Sequence, residues 1–432
     1  MSAIKVAIVG LGTVGTGVAR LLVEHGDRIA RHSGRRMELS QVVVSDLRKK
    51  REIELPSGAL SDDLKRITAD PEISVVAVLL GGLEPARSIV LDLLASGKDI
   101  VTANKALLAA HGPELFDRAR ELGRSIAFEA SVAGGIPIVA NISQCLSANQ
   151  IQSIHAILNG TSNYILTQME IHGASYADAV REAQRLGFAE ADPTMDVDGS
   201  DAAQKLAILS HLAFGARVAW SDIPRQGIDK LELADLKYAK ELGYRIKLLA
   251  VAQLTPAGLE LHVSPTLVKL GTPLAEVRGA YNAISVVGDA VGRVFFSGLG
   301  AGQMPTASAV VADLIDTVVG RSAITFRTLE LWSARGTSVA AGDYRNVSGR
   351  YYLRFNVADQ PSVLAEIAGL LGVQNISIAS VIQHEAEEGS QGVVPLVIMT
   401  HNTTEGAMCR AIEAIDRLPF MRGHSMRMRV RD

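Results

Sequence analysis

Two residues of opposite charge, Asp201 and Lys205, fall one helical turn apart in the middle of what is otherwise an apolar helix face. At about 100° per residue, Ile208 and Leu212 lie within roughly 40° of the pair, with Ala202, Leu206 and Leu209 on its other side. Helices normally turn charges toward water, and burying a carboxylate and an ammonium costs desolvation that only pairing or a task justifies. An isolated Asp-x-x-x-Lys is most often a structural ion pair. Within an apolar stripe, the lysine is also a group that can give or take a proton. Desolvation draws its pKa toward neutrality, and the neighbouring aspartate pulls the other way.

A proton donor needs a reacting partner, and the N-terminal segment supplies a place for one. Ile4–Val9 is a continuous apolar run suited to a strand buried on both faces. Gly10-Leu-Gly12-Thr13-Val14-Gly15 follows, and Thr16–Glu24 has helical periodicity. In that strand-turn-helix order, Gly10 permits the tight turn, Gly12 lets a pyrophosphate approach the backbone, and Gly15 lets helix and strand pack closely. A second strand, Leu39–Val44, ends at Ser45-Asp46, and Arg48-Lys49-Lys50-Arg51 comes next. An acid at a strand end suits the ribose hydroxyls of NAD(H), whereas the basic run, Arg48 first, suits the 2′-phosphate of NADP(H). Both cofactors stay open, with the basic run favouring NADP(H).

Further strands are expected at Val75–Leu80, Asp99–Thr102 and Ser125–Glu129, alternating with helices Pro85–Ser96 and Pro113–Leu122. That alternation predicts a parallel sheet, whose ligands sit beyond the carboxyl ends of the strands. Gly81-Gly82, Asn104-Lys105 and Glu129–Gly135 all fall there, which makes Lys105 a candidate cofactor or substrate contact. The pattern then becomes mixed α and β, with a strand at Ile151–Leu158 and a helix at Tyr176–Leu186.

The 432 residues suggest about three domains. A hydrophobic content of 48% with 21% charge is ordinary for a soluble globular protein. The net charge of −3 makes no electrostatic case for nucleic acid or an anionic membrane. No apolar run approaches the roughly 20 residues that span a bilayer, and the start runs straight into a strand rather than a secretory signal. Cys145 and Cys409 read as free thiols in a reducing cytoplasm.

Taken together, these segments resemble the homoserine dehydrogenase family. The resemblance covers nearly the whole chain: GLGTVG at Gly10–Gly15, TANKALLA at Thr102–Ala109, FEASVAGGIPI at Phe128–Ile138, LNGTSNYIL at Leu158–Leu166, GFAEADPTMDVDGSDAAQKL at Gly187–Leu206 and GLGAGQMPTASAVVADL at Gly298–Leu314. It implies NAD(P)-dependent interconversion of L-homoserine and L-aspartate 4-semialdehyde, in threonine, methionine and isoleucine biosynthesis. By the same resemblance, Lys205 protonates the aldehyde oxygen and Asp201 positions that ammonium and contacts substrate. Glu190 binds homoserine through its amino group, and Lys105 contacts cofactor and substrate. Gly302, in a glycine turn leading into the apolar helix Pro305–Val318, lies near the cofactor. Asp196-x-Asp198-Gly199 superficially suggests a calcium loop, but Lys205 would then occupy the position of the main anionic ligand. The resemblance implies instead a monovalent cation, Na+, near Glu129 and the carbonyls of Val132, Gly134 and Ile136.

The tail alternates as strand Tyr351–Val357, helix Pro361–Leu371, strands Ile376–His384 and Val393–Thr400, helix Thr404–Leu418 and strand Ser425–Val430. This βαββαβ order is that of a ferredoxin-like half-sandwich, and it resembles an ACT domain. Such domains bind amino-acid effectors, and L-threonine is the expected ligand. Ser362 stands where that family usually has glycine, so its Cβ adds bulk where a ligand approaches backbone.

The expected fold is therefore α/β. A Rossmann-type NAD(P)-binding domain spans 1–135 and is completed by about 303–325. A mixed α+β catalytic and dimerisation domain spans 136–302, a linker 326–348 and a ferredoxin-like ACT domain 349–432. A homodimer or homotetramer is expected, and removing the tail before Gly349 should leave the chemistry and abolish any threonine response.

Overall fold

Aliphatic runs bounded by glycine turns make the first sheet. The structure, a computed structural model, describes residues 3–330, 332, 339–384 and 392–432. Its chain divides into two units: residues 1–152, 204–222 and 286–339 form the first, and residues 153–203, 223–285 and 340–432 the second. The principal helices in chain order are α1 (Thr13–Glu24), α2 (Ala86–Ala95), α3 (Lys105–Glu121), α4 (Gly160–His172), α5 (Ser200–Phe214), α6 (Leu233–Glu241), α7 (Gln303–Val318), α8 (Arg321–Leu329), α9 (Val363–Val373) and α10 (Glu405–Ile415).

In the first unit, strands β1 (Ile4–Val9), β2 (Met37–Val43), β3 (Leu60–Ser61), β4 (Ile73–Val78), β5 (Asp99–Thr102) and β6 (Ile126–Ala127) form a parallel sheet in the order β3-β2-β1-β4-β5-β6. Strand order reverses at β1, so the crevice beyond its carboxyl end is where such sheets take ligands. Val6 and Ile8 of β1 pack with Val18 and Leu22 of α1 and with Val310 and Leu314 of α7. The 303–318 segment therefore shares the core of the parallel sheet. Gly17 makes the contact close, since a Cβ there would lie 2.9 Å from the Cβ of Ala307. Helix α3 begins earlier than the Pro113 start expected from sequence, and Pro113 lies inside it.

The residues from 326 onward, expected as a linker, start inside α8, where Phe326 stacks on Phe116. Positions 331 and 333–338 lie outside the described residues, but Trp332 is buried against Phe116, Phe128 and His211. His211 Nδ1 faces the Ala216 carbonyl at 3.0 Å, and its Nε2 accepts the Trp332 N–H at 2.5 Å. That requires a neutral ring protonated on Nδ1, and burial pushes the His211 pKa down to about 4. The folded-state pKa lies below the unfolded value of about 6.5, so the unfolded chain binds the extra proton between the two. The neutral ring's contribution is complete above about pH 6.5 and is lost as pH falls toward 4, at a cost of about 3 kcal/mol. Urea melts at pH 6.5 and 4.5 should show that loss in the wild type and a smaller one in His211→Gln. Equal losses would assign the pH dependence to other groups.

Later strands are β7 (Ile151–Ile157), β8 (Tyr244–Thr255), β9 (Gly258–Lys269), β10 (Tyr281–Gly288), β11 (Gly292–Leu299, in the first unit), β12 (Ser348–Ala358), β13 (Ile378–Gln383), β14 (Val393–Thr400), β15 (Thr403–Thr404) and β16 (Met426–Arg431). The second unit carries a mixed sheet in the order β10-β7-β8-β9-β16-β12-β14-β13. Its C-terminal part follows the expected strand-helix-strand-strand-helix-strand order, with α9 and α10 packed on Leu353, Phe355, Leu396 and Ile398. This part is not an appended bead. Strand β16 lies parallel to β9, with Arg429, Val430 and Arg431 opposite Thr266, Leu267 and Val268. The Leu259 N–H donates to the Ala340 carbonyl at 3.1 Å, and the Gly342 N–H to the Leu259 carbonyl at 2.9 Å.

The opposite face of β12 is fixed to α6. Arg354 donates from Nε to Asp235 Oδ1 at 2.7 Å and from Nη2 to Oδ2 at 3.0 Å, and the Tyr352 hydroxyl donates to Oδ1 at 3.0 Å. Asp235 is fully buried and Arg354 nearly so. Such a bidentate pair is stable as a whole and costly to break from one side.

Candidate active site

At the carboxyl end of β1, backbone geometry makes the cofactor cradle. Gly10 has φ +97°, and a Cβ there would lie 2.9 Å from the Leu80 side chain. A Cβ on Gly15 would lie 2.1 Å from the Gly10 carbonyl oxygen, so only glycine allows α1 to start there. Gly12 caps α1, and a Cβ on it would meet nothing within 4 Å. No side chain caps this helix and its first turn holds no acid to meet its N-terminal N–H groups. That is a site for a phosphate anion, and the residues present fit a dinucleotide. Thr13 is exposed, Val14 is half-buried, and Gly302 starts α7 at φ +123°.

At the end of β2 the Arg48 N–H donates to Asp46 Oδ1 at 2.8 Å, closing the turn. The Arg48 side chain is 96% exposed. Lys105 is the first residue of α3, and its position is fixed by Asn104. Asn104 Oδ1 accepts the Leu107 N–H at 3.0 Å, while Nδ2 donates to the carbonyls of Leu80 at 2.9 Å and Gly82 at 2.7 Å. One buried amide thus ties the start of α3 to the loop beyond β4.

Helix α5 carries Asp201 and Lys205. Both are buried, Asp201 with 3% and Lys205 with 9% of its surface exposed, among Ala202, Ala203, Leu206 and Ile208. The chain passes from the second unit to the first within this helix, between Ala203 and Gln204. Its start is set by Asp198, whose carboxylate accepts the Ser200 N–H at 2.7 Å and hydroxyl at 2.9 Å. Asp198 is therefore engaged as a helix cap. In the second unit, Asn159 Nδ2 donates to Asp201 Oδ2 at 2.9 Å and to Asp196 Oδ1 at 2.7 Å. The Ser162 hydroxyl holds the Asp196 carbonyl at 2.6 Å. Glu190 has an exposed side chain, on a loop held by Gln184 Nε2 at its carbonyl (3.2 Å) and by Thr161 Oγ1 at the Phe188 carbonyl (2.6 Å).

Glu129, expected near a cation, accepts two backbone N–H groups. Its Oε1 accepts the Val139 N–H at 2.8 Å and its Oε2 the Ala140 N–H at 2.7 Å, capping the short helix Ile138–Ala140. Burial pushes its pKa up to about 7, against those two N–H groups. The Ile136 carbonyl accepts the Ile138 N–H at 2.8 Å. Ala133 and Gly134 are both left-handed, and a Cβ on Gly134 would lie 2.5 Å from the Gly300 carbonyl oxygen.

A family model described as homoserine dehydrogenase matches residues 137–315, and one for the homoserine dehydrogenase NAD-binding domain matches residues 10–129. The homoserine dehydrogenase of Pseudomonas aeruginosa is 42% identical over 433 residues, covering 100% of this chain and 99% of that protein. The chain belongs to the homoserine dehydrogenase family. It is thus an oxidoreductase acting on a CH–OH group. Among solved homoserine dehydrogenases, that of Thiobacillus denitrificans has a TM-score of 0.92 at 41% identity, covering 100% of this chain and 99% of that one. A hyperthermophilic archaeal homoserine dehydrogenase in complex with NADPH has a TM-score of 0.60 at 25% identity, covering 74% of this chain and 98% of that one.

Two residues that bear on the site were not singled out from sequence. Asp196 was weighed only as part of a calcium loop, and Asn159 only within the LNGTSNYIL segment that follows the strand Ile151–Leu158. Their partnership spans positions 159 to 201, which no periodicity reports. The available signal was a buried-capable amide at a helix N-cap, close in family pattern to a carboxylate-rich segment.

Proposed function

We propose that this chain interconverts L-homoserine and L-aspartate 4-semialdehyde with NADP(H), Lys205 being the proton donor to the aldehyde oxygen. The observation that carries this reading is the burial of Lys205 with Asp201 on α5, where neither is needed to cover a surface. When bound, the nicotinamide supplies the hydride in reduction and takes it in oxidation. As negative charge develops on the carbonyl oxygen, the Lys205 ammonium stabilises it and passes it a proton. In the oxidative direction the neutral amine takes the hydroxyl proton. Asp201, held by Asn159, keeps that ammonium oriented, Glu190 takes the substrate amino group, and Lys105 contacts both substrate and cofactor. Exposed Arg48 favours the 2′-phosphate of NADP(H), since Asp46 already serves its own turn.

The test is appearance of reduced nicotinamide absorbance with purified protein, L-homoserine and NADP+ at alkaline pH. A homoserine-dependent signal supports the reading, and none with either NADP+ or NAD+ would overturn it. Glu190→Ala should raise KM for homoserine about tenfold or more while kcat changes less. An unchanged KM would take the amino group away from Glu190.

The C-terminal part, read as an ACT domain, has a cavity of about 410 Å3 lined by Val357, Ala358, Gln360, Ser362, Leu364 and Gln383, which suits a small amino acid such as L-threonine. Ser362 there takes φ +75°, the conformation glycine adopts freely. A wild-type rate indifferent to threonine would remove this effector. A sodium ion would rest on Glu129 and the carbonyls of Val132, Gly134 and Ile136, since each Glu129 oxygen that accepts an N–H keeps a further lone pair. A cytoplasmic homodimer or homotetramer is the proposed working form, testable by light scattering. Among the described residues, no helix is long and apolar enough to cross a membrane.

A further inference from the structure

We propose that Asn159 is a positioning residue for the reaction, tying the Asp196 and Asp201 carboxylates to one neutral amide; this rests on the reading of Lys205 and Asp201 above. The Asn159 side chain is 4% exposed, and all of its polar capacity is accounted for. Its Nδ2 donates to Asp196 Oδ1 and Asp201 Oδ2, and its Oδ1 accepts the Ser162 N–H at 2.7 Å as the cap of α4. The reverse amide orientation would set its oxygen against two carboxylates and its NH2 against an N–H. Chemistry therefore fixes which way the amide faces.

The backbone around it is equally constrained. Asn282 Nδ2 donates to the Leu158 carbonyl at 3.0 Å, and a Cβ on Gly160 would lie 2.7 Å from the Ala280 carbonyl oxygen. Asn159 is thus held by its neighbours on both sides and passes that fixity to the two acids.

Two carboxylates brought to one nitrogen repel each other, and a lysine or arginine between them would remove the repulsion by cancelling charge. A neutral amide tethers both and adds no charge of its own beside the helix that carries Lys205.

Asn159→Asp separates this role from helix capping. An aspartate still accepts the Ser162 N–H and still suits a helix N-terminus, but it has no N–H for Asp196 or Asp201 and adds a third negative charge. The expected result is a kcat lower by about tenfold to a hundredfold, with KM for NADP+ unchanged. The pH limb of homoserine oxidation should also move about one unit to higher pH, because added negative charge holds the lysine proton more tightly. Asn159→Ser keeps a capping oxygen and stays neutral, so it should lose at least tenfold in kcat without that movement.

The wild type and Lys205→Ala are assayed alongside. No homoserine activity in the wild type, or a normal rate in Lys205→Ala, would sink the reading of the site. An active wild type, a dead Lys205→Ala and wild-type kcat in either folded Asn159 variant would overturn the role of Asn159 alone. Failure of both Asn159 variants to fold would also overturn it, by making the side chain purely structural.

Discussion

Replacing Lys205 with alanine is expected to lower homoserine-dependent turnover by about a hundredfold or more while leaving NADP+ affinity largely intact. Alanine is the best helix former, so α5 itself loses nothing at this position. What goes is the group that protonates the developing alkoxide and that accepts the hydroxyl proton in reverse. Asp201 stays buried and keeps its hydrogen bond from Asn159, which limits the structural damage. Lys205→Arg is the informative companion. It keeps the charge, but a guanidinium cannot give up its proton near neutral pH, so oxidation should remain slow. Steady-state kcat, with thermal melts to confirm folding, checks both variants, and near-normal turnover in Lys205→Ala would take the proton-donor role away.

The second large effect concerns the C-terminal part. Read from sequence, residues 349–432 look removable. The observed sheet changes that expectation, because β16 pairs directly with β9 and Arg354 neutralises an Asp235 with no surface exposed. Cutting the chain before Gly349 takes β16 from the Thr266–Val268 end of β9 and strips Asp235 of both Arg354 and Tyr352. Loss of soluble, active protein is therefore expected rather than a deregulated enzyme. Arg354→Met isolates the ion pair and should cost about 3–5 kcal/mol in urea unfolding. Adding Asp235→Leu should restore most of that loss, since an apolar pair of similar volume replaces a buried ionic one with little penalty. A truncated protein that stays soluble at the wild-type rate would show that the sheet junction carries no stability.

What the sequence made legible followed from short-range rules. The apolar run Ile4–Val9, its glycine turn and the helix after it stand where pattern and glycine sterics put them. Asp201 and Lys205 are buried with the apolar residues around them, and so is every residue of α5 from Ser200 to His211, which the periodicity of one face does not predict. The strand and helix order of the last eighty or so residues came from alternation alone. What stayed hidden depends on partners distant in sequence. The β16–β9 pairing is hydrogen bonding between backbones, and hydropathy does not encode which strand lies beside which. Trp332, in a stretch of small and polar residues, reads as linker until Phe116, Phe128 and His211 surround it. Glu129 reads from sequence as a cation contact, and no pattern announces the two N–H groups, ten and eleven residues on, that its carboxylate also accepts. Asn159 shows the same limit, because an amide's meaning lies in what its two ends face.

The place of β16 in the mixed sheet has a consequence for how the protein is made. Strand β16 is the sole strand between β9 and β12, so it joins the earlier and later halves of that sheet. A chain leaving the ribosome presents β8 and β9 while everything from β12 to β16 is still unsynthesised. Until Met426–Arg431 emerges, the Thr266–Val268 end of β9 lacks its partner strand, leaving a short open edge of the kind that pairs with the wrong chain. The second unit cannot close progressively from its N-terminal end; it must wait for one of the last strands to be translated and then zip around it. Synthesis in cells would therefore depend on factors that shield β9 in the interval, and slow translation after Lys269 should lower the yield of soluble protein more than slow translation before it.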